Sequence, residues 1–103
     1  MVRFSEAGTK KFFRKHAAQA DQLRTQISEA LEKQTEMNFS KVKPATHLQF
    51  EGSKVWEIRV NPVRVPPVRV AFTVAGSDFV VVFVSHTIQK SEFTHELEKF
   101  LRG

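Results

Sequence analysis

Three closely spaced segments decide the fold: Lys54-Val-Trp-Glu-Ile-Arg-Val60, Val68-Arg-Val-Ala-Phe-Thr-Val74 and Phe79-Val-Val-Val-Phe-Val-Ser-His86. In the first, Trp56, Ile58 and Val60 alternate with Glu57 and Arg59, the period-2 pattern of a strand with one buried face. In the second, Val68, Val70, Phe72 and Val74 share the buried side, which leaves Arg69 facing out with Ala71 and Thr73. The third is apolar on both faces until Ser85 and His86, as expected of a strand covered on each side. Consecutive strands of this kind place Arg59 and Arg69 on one surface, with His86 and Lys90 following the last strand. Guanidinium groups held on a rigid sheet form a preorganised cationic platform, and phosphate is its natural ligand.

The connections support a sheet. Ala75-Gly-Ser-Asp78 reads as a hairpin turn. Asn61 to Pro67 carries three prolines, which deny it ladder donors, so it is expected to stand out as a stiff loop with Arg64 exposed. Upstream, residues 37–53 hold Pro44, Gly52 and few apolar residues, and the segment reads as a long loop carrying Lys41, Lys43 and His47.

Toward the N-terminus, Val2-Arg-Phe4 suits a short strand, with Ser5 as the N-cap of a following helix. That helix carries Phe13, Ala17 and Ala20 on one side and Lys10, Lys11, Arg14 and Lys15 on the other. Asp21 is a candidate N-cap for a second helix bearing Leu23, Ile27, Ala30 and Leu31, and a helical hairpin is expected. After Lys90, a helix starting near Ser91 aligns Phe93, Leu97, Phe100 and Leu101 as a core-facing stripe. The predicted class is α+β: an N-terminal strand and helical hairpin packed on a mainly antiparallel sheet of three to four strands, closed by a short C-terminal helix.

The 103 residues suffice for one core, and residues 1–103 read as a single domain. Without cysteine there is no disulfide, zinc-thiolate site or thiol nucleophile. No His and carboxylate spacing suggests a metal, and no glycine-rich phosphate loop or Ser-His-Asp set is present, so neither metal nor cofactor is expected. No signal peptide or membrane span is read, and the expected compartment is the cytoplasm. The net charge of +5 is uneven: residues 54–90 contain five cations and two anions, whereas the last helix carries Glu92, Glu96 and Glu98. An acidic partner fits, nucleic acid foremost, although a basic domain that binds acidic proteins would look the same.

The run Leu48 to Gly52, then Val55 to Val60, then Val68 to Phe72, then an apolar strand ending in Ser-His, resembles the RelE/ParE superfamily of bacterial type II toxin–antitoxin systems. The ending Ile88-Gln-Lys-Ser91 with Glu96-Leu-Glu-Lys99 looks most like its HigB and phage Gp49-like branch. The resemblance implies a ribosome-dependent endoribonuclease that cuts messenger RNA by 2′-OH attack on the adjacent phosphate, inhibits translation, and is held inactive by a cognate antitoxin protein. It further implies that Arg69 contacts the scissile phosphate, that Arg59 shares that load, and that Lys90 stabilises the transition state or protonates the leaving group. Lys41, Lys43, His47, Lys54 and Arg64 are the expected RNA contacts around them.

Two departures stand out. The chain has no tyrosine, where many RelE members carry one near the C-terminus, and Phe93 cannot transfer a proton. His86 and Thr87 stand where the HigB-like pattern has paired lysines, so His86 becomes the candidate acid or base. Glu57 could serve as a base or pair with a neighbouring cation. The alternatives are a ParE-like toxin that binds and poisons DNA gyrase, and a degenerate non-catalytic relative.

Overall fold

The computed structural model describes all 103 residues, Met1–Gly103. Its elements are β1 (Val2–Phe4), α1 (Glu6–Lys15), a 3-10 turn (Ala17–Gln19), α2 (Ala20–Glu36), β2 (Lys43–Phe50), β3 (Ser53–Val60), β4 (Val68–Ala75), β5 (Asp78–Ser85) and α3 (Lys90–Arg102). The five strands form one sheet in the order β1-β5-β4-β3-β2, with β1 parallel to β5 and the other pairs antiparallel. The architecture is α+β, with a mixed five-stranded sheet where three to four strands were expected.

The additional strand is β2, in the segment read as loop. Its pairing with β3 is irregular between Pro44 and Gln49, which interrupts the alternation by which a strand is recognised. As an edge strand it tolerates Pro44, whose missing N–H costs no ladder bond on the outer side. Glu51 (φ 49°) and Gly52 (φ 79°) are both left-handed and close the β2–β3 hairpin in two residues, the geometry that matches strand twist.

Helices cover both faces of the sheet. Ile58, Val60, Val68, Val70, Phe72 and Val81 pack against Leu23, Ile27 and Leu31 of α2 and Phe13 of α1. On the opposite face Val55, Ala71 and Val82 pack against Phe93 and Leu97 of α3. The face of Arg69, Ala71 and Thr73, expected to meet solvent, is therefore covered: Ala71 and Thr73 are buried. Alternation within a strand identifies two faces but says nothing about whether a later helix lies over the more polar one.

Between His16 and Gln19 the helical path breaks. His16 leaves helical geometry at ψ 41° and a 3-10 turn leads into α2, so the segment forms two helices. Ser5 occupies the N-cap position of α1, although its side chain makes no capping bond. Asp21 does not cap α2, whose cap position is Gln19; it sits in the first turn and pairs with Arg24 at 3.7 Å. The edge of β5 is shared. β1 pairs with residues 79–81, and beyond it Gly8 of α1 lies close against the Val82 carbonyl.

Candidate nucleic-acid interface

The site is built from the ends of β3 and β4. Arg59 and Arg69 are directly opposed across these strands, which sets their Cβ atoms about 5 Å apart on one face. Like charges so placed repel, and the sheet meets this by placing Glu57 two residues from Arg59. Arg69 donates from Nη1 to Glu57 Oε1 at 2.9 Å and from Nε to the carbonyl of Ile88. Lys90, the first residue of α3, lies 3.7 Å from the same carboxylate oxygen and donates to the Pro44 carbonyl at 3.4 Å. Glu57 is thus the anchor of two cations, and an ion pair is the arrangement found.

Glu57 is only 1% exposed, and its Oε2 is buried without a hydrogen-bond partner. Burial pushes its carboxyl above the ordinary range, against the opposing pull of Lys90 and Arg69. Arg69 is 19% exposed. A guanidinium has five N–H donors, and these two contacts engage only Nε and Nη1, so Arg69 keeps donors for a ligand while its plane is fixed.

These groups line a groove. β2 pairs with β3 no further than Lys43 opposite Glu57, so the last residues of β3 have a free edge. The C-terminal end of α2 faces that edge across a groove of about 700 Å³, which Arg59, Arg69 and Glu57 share with Lys33, Lys41 and Lys43. Five cations face one buried carboxylate. Arg59 is exposed and held only by a 3.3 Å bond from Nε to Asn61 Oδ1.

Comparison with known proteins finds no match. No family model fits the chain, and no curated protein or solved structure is detectably similar to it.

The groove brings together Arg59, Arg69, Lys41 and Lys43, with Lys90 joined through Glu57. It does not include His86. Arg69 is registered with Ser85, so the next side chain turns to the opposite face. There the His86 ring packs against His16 and Phe12, at centroid distances of 4.8 and 5.2 Å, and its Nδ1 lies 3.0 Å from the Pro67 carbonyl. His16 is half-buried in this cluster. Burial, then His86 and Lys15, hold it below its ordinary pKa.

The other expected contacts are dispersed. Lys54 covers the Trp56 ring at 4.7 Å. His47 lies 3.8 Å from Glu98. Arg64 is exposed in the proline loop with a left-handed φ of 62°, and that loop is tied to α2 by bonds between Val63 and the side chains of Gln22 and Gln26.

Two contributors went unrecognised in the sequence. Lys33 supplies a cation from α2, and Gln34, buried, accepts the Lys41 amide at 3.3 Å and so fixes the groove's rim. The signal was the spacing of Ala30, Lys33, Gln34 and Met37, which is that of one helical stripe. Behind Arg69, Glu96 accepts hydrogen bonds from Ser85 Oγ at 2.8 Å and from Thr87. These bonds fasten α3 to the end of β5 and hold the Thr87–Gln89 link whose Ile88 carbonyl receives Arg69.

Proposed function

We propose that the chain is a RelE/ParE-type toxin, an endoribonuclease that cuts messenger RNA on the ribosome and is restrained by a cognate antitoxin. One observation carries the reading: Arg69, fixed by Glu57 and the Ile88 carbonyl, lines a groove together with four other cations and keeps donors that these contacts do not use. The strand pattern that resembles the superfamily puts its phosphate-binding arginine at this position.

In the reaction the ribose 2′-OH, losing its proton to water, attacks the neighbouring phosphorus, the P–O5′ bond breaks, a 2′,3′-cyclic phosphate forms, and the departing 5′-oxygen gains a proton. The phosphorane carries extra negative charge, which is where preorganised donors act most strongly. Arg69 and Arg59 bind its non-bridging oxygens. Lys90, half-exposed at the start of α3, serves the departing 5′-oxygen. Glu57, too enclosed to meet substrate, is a positioning residue for both cations. His86 has no part in this groove.

The ParE-like reading draws support from that displaced histidine and from the absence of tyrosine. One experiment separates the two. Induced expression should arrest growth and generate new transcript 5′ ends inside coding regions, and Arg69→Lys, which keeps the ion pair but loses the planar fork, should reduce cleavage roughly a hundredfold. Arrest with intact transcripts and gyrase-dependent DNA breaks would replace the nuclease with the gyrase poison.

A further inference from the structure

A second cationic surface lies well away from the groove. On α1, Lys10, Lys11, Arg14 and Lys15 are all exposed, and the spacing i, i+1, i+4, i+5 gathers them on one side of the helix. None of the four is in salt-bridge reach of a carboxylate. Lys10 and Arg14 form a ridge between two shallow furrows of about 450 and 530 Å³ that run along either side of α1. Glu6, one turn before Lys10, lines both furrows as the one anion on this face, and Arg14 and Lys15 suit the last turn of the helix; the two like-charged pairs at i, i+4 still leave an excess of exposed positive charge. Arg24 adds a cation at the end of one furrow, its guanidinium 4.3 Å from the Phe13 ring centroid.

We infer that this face of α1 binds the sugar–phosphate backbone of an RNA duplex, as a contact surface separate from the Arg69 groove. Three features choose the ligand. The face is lysine-rich and exposes no large apolar side chain, whereas protein interfaces are depleted of lysine and centre on buried aromatic residues. It has no fully exposed aromatic ring on which an unpaired base could stack: Phe13 is buried, Phe4 at the furrow is partly buried and packed edge-on against Phe13, and Phe12 is packed against Phe13, His16 and His86; single strands are held by such rings. What remains is rows of cations one helical turn, about 6 Å, apart, suited to backbone phosphates and indifferent to sequence. The choice of RNA over DNA rests on the nuclease reading; the duplex contact does not.

The two surfaces sit at opposite ends of α2. Arg24 marks one and Lys33 the other, nine residues and about 14 Å of helix rise apart.

The test measures binding of the purified protein to a 20-base-pair RNA duplex of arbitrary sequence, by fluorescence anisotropy between 50 and 200 mM salt. Four neutralised phosphate contacts give a log–log salt slope of about −3.6, a loss of roughly a hundredfold over that range. The variant Lys10→Gln/Lys11→Gln/Arg14→Gln/Lys15→Gln, whose exposed positions should leave the chain folded with only a small change in melting temperature, is expected to lose most of that slope and to bind at least tenfold more weakly at 100 mM salt. The assay reads binding with no cleavage step, so failure of the nuclease reading leaves this result untouched. The inference is overturned if the quadruple variant binds with the native slope. It is also overturned if polyglutamate competes as well as the duplex at equal charge, which would mark an acidic-protein surface. Tighter binding to a DNA duplex of equal length overturns the assignment to RNA.

Discussion

Replacing Arg69 by alanine should make the stability of this protein strongly dependent on pH. Glu57 would keep only Lys90, at 3.7 Å from Oε1, while Oε2 stays without a donor. Breaking a buried ion pair by removing one partner costs about 3–5 kcal/mol. Here a ceiling applies, because Glu57 can take up a proton instead of remaining charged. Its ordinary pKa is 4.5, so holding that proton at pH 7 costs about 3 kcal/mol. Lys90 remains and Arg69 is 19% exposed, which together place the expected loss at about 2–3 kcal/mol at pH 7, or roughly 10–20 °C in Tm for a domain of this size.

The sign follows from proton linkage. A carboxyl whose folded pKa is raised binds its proton more tightly in the native state, so stability is fullest below pH 4.5 and falls as pH rises through the folded pKa. The cost of protonation shrinks by about 1.4 kcal/mol per pH unit, so at pH 5 the loss should be no more than about 1 kcal/mol. Urea denaturation of Arg69→Ala, Glu57→Gln and the double variant at pH 5 and pH 7 measures this. The double variant should lack the extra pH dependence that Arg69→Ala introduces and keep only that of the remaining groups, His16 among them, with a coupling energy of about 2 kcal/mol at pH 7. If Arg69→Ala lost under about 0.5 kcal/mol at both pH values, the buried pair would not be the anchor described.

Four further outcomes follow from the same contacts. Arg59→Ala should change stability by less than about 0.5 kcal/mol, since the side chain is exposed, yet reduce RNA cleavage at least tenfold in a ribosome-supplemented assay. Gly8→Ala should destabilise by about 2 kcal/mol or more in urea, because the new Cβ would lie 1.7 Å from the Val82 carbonyl oxygen; helix propensity alone would favour alanine by about 0.5–1 kcal/mol, so the sign decides. Glu96→Ala should release Ser85 and Thr87 and lower cleavage through Arg69 placement, visible as faster amide exchange in residues 86–92. His16, held below 6.5, should make the protein lose stability as pH falls from about 6.5 through the histidine's folded pKa, and His16→Gln should flatten that part of the thermal-melt profile.

How far the sequence could be read depended on whether each segment kept its period. β3 and β4 alternate without interruption, and their pairing puts Arg59 opposite Arg69 as the pattern implies. β2 was lost because its irregular pairing and Pro44 erase alternation at an edge. His86 was grouped with the arginines through nearness in sequence, when one further residue along a strand reverses the face. The burial of Glu57 was hidden for another reason: whether Glu57 and Ala71 meet water depends on α3, which arrives about thirty residues after Glu57. Composition gave the sign of the charge but not its division between the groove and α1.

Cleavage of messenger RNA at the Arg69-centred groove is the proposal on which the rest depends. Its most direct measurement is the mapping of transcript 5′ ends after brief induction, in cells with active ribosomes and in cells whose initiation is blocked, for the native chain and for Arg69→Lys. Internal cuts confined to translated messages and lost in the variant are the expected result. Uncut transcripts under native expression, or cuts that persist undiminished in Arg69→Lys, would contradict it.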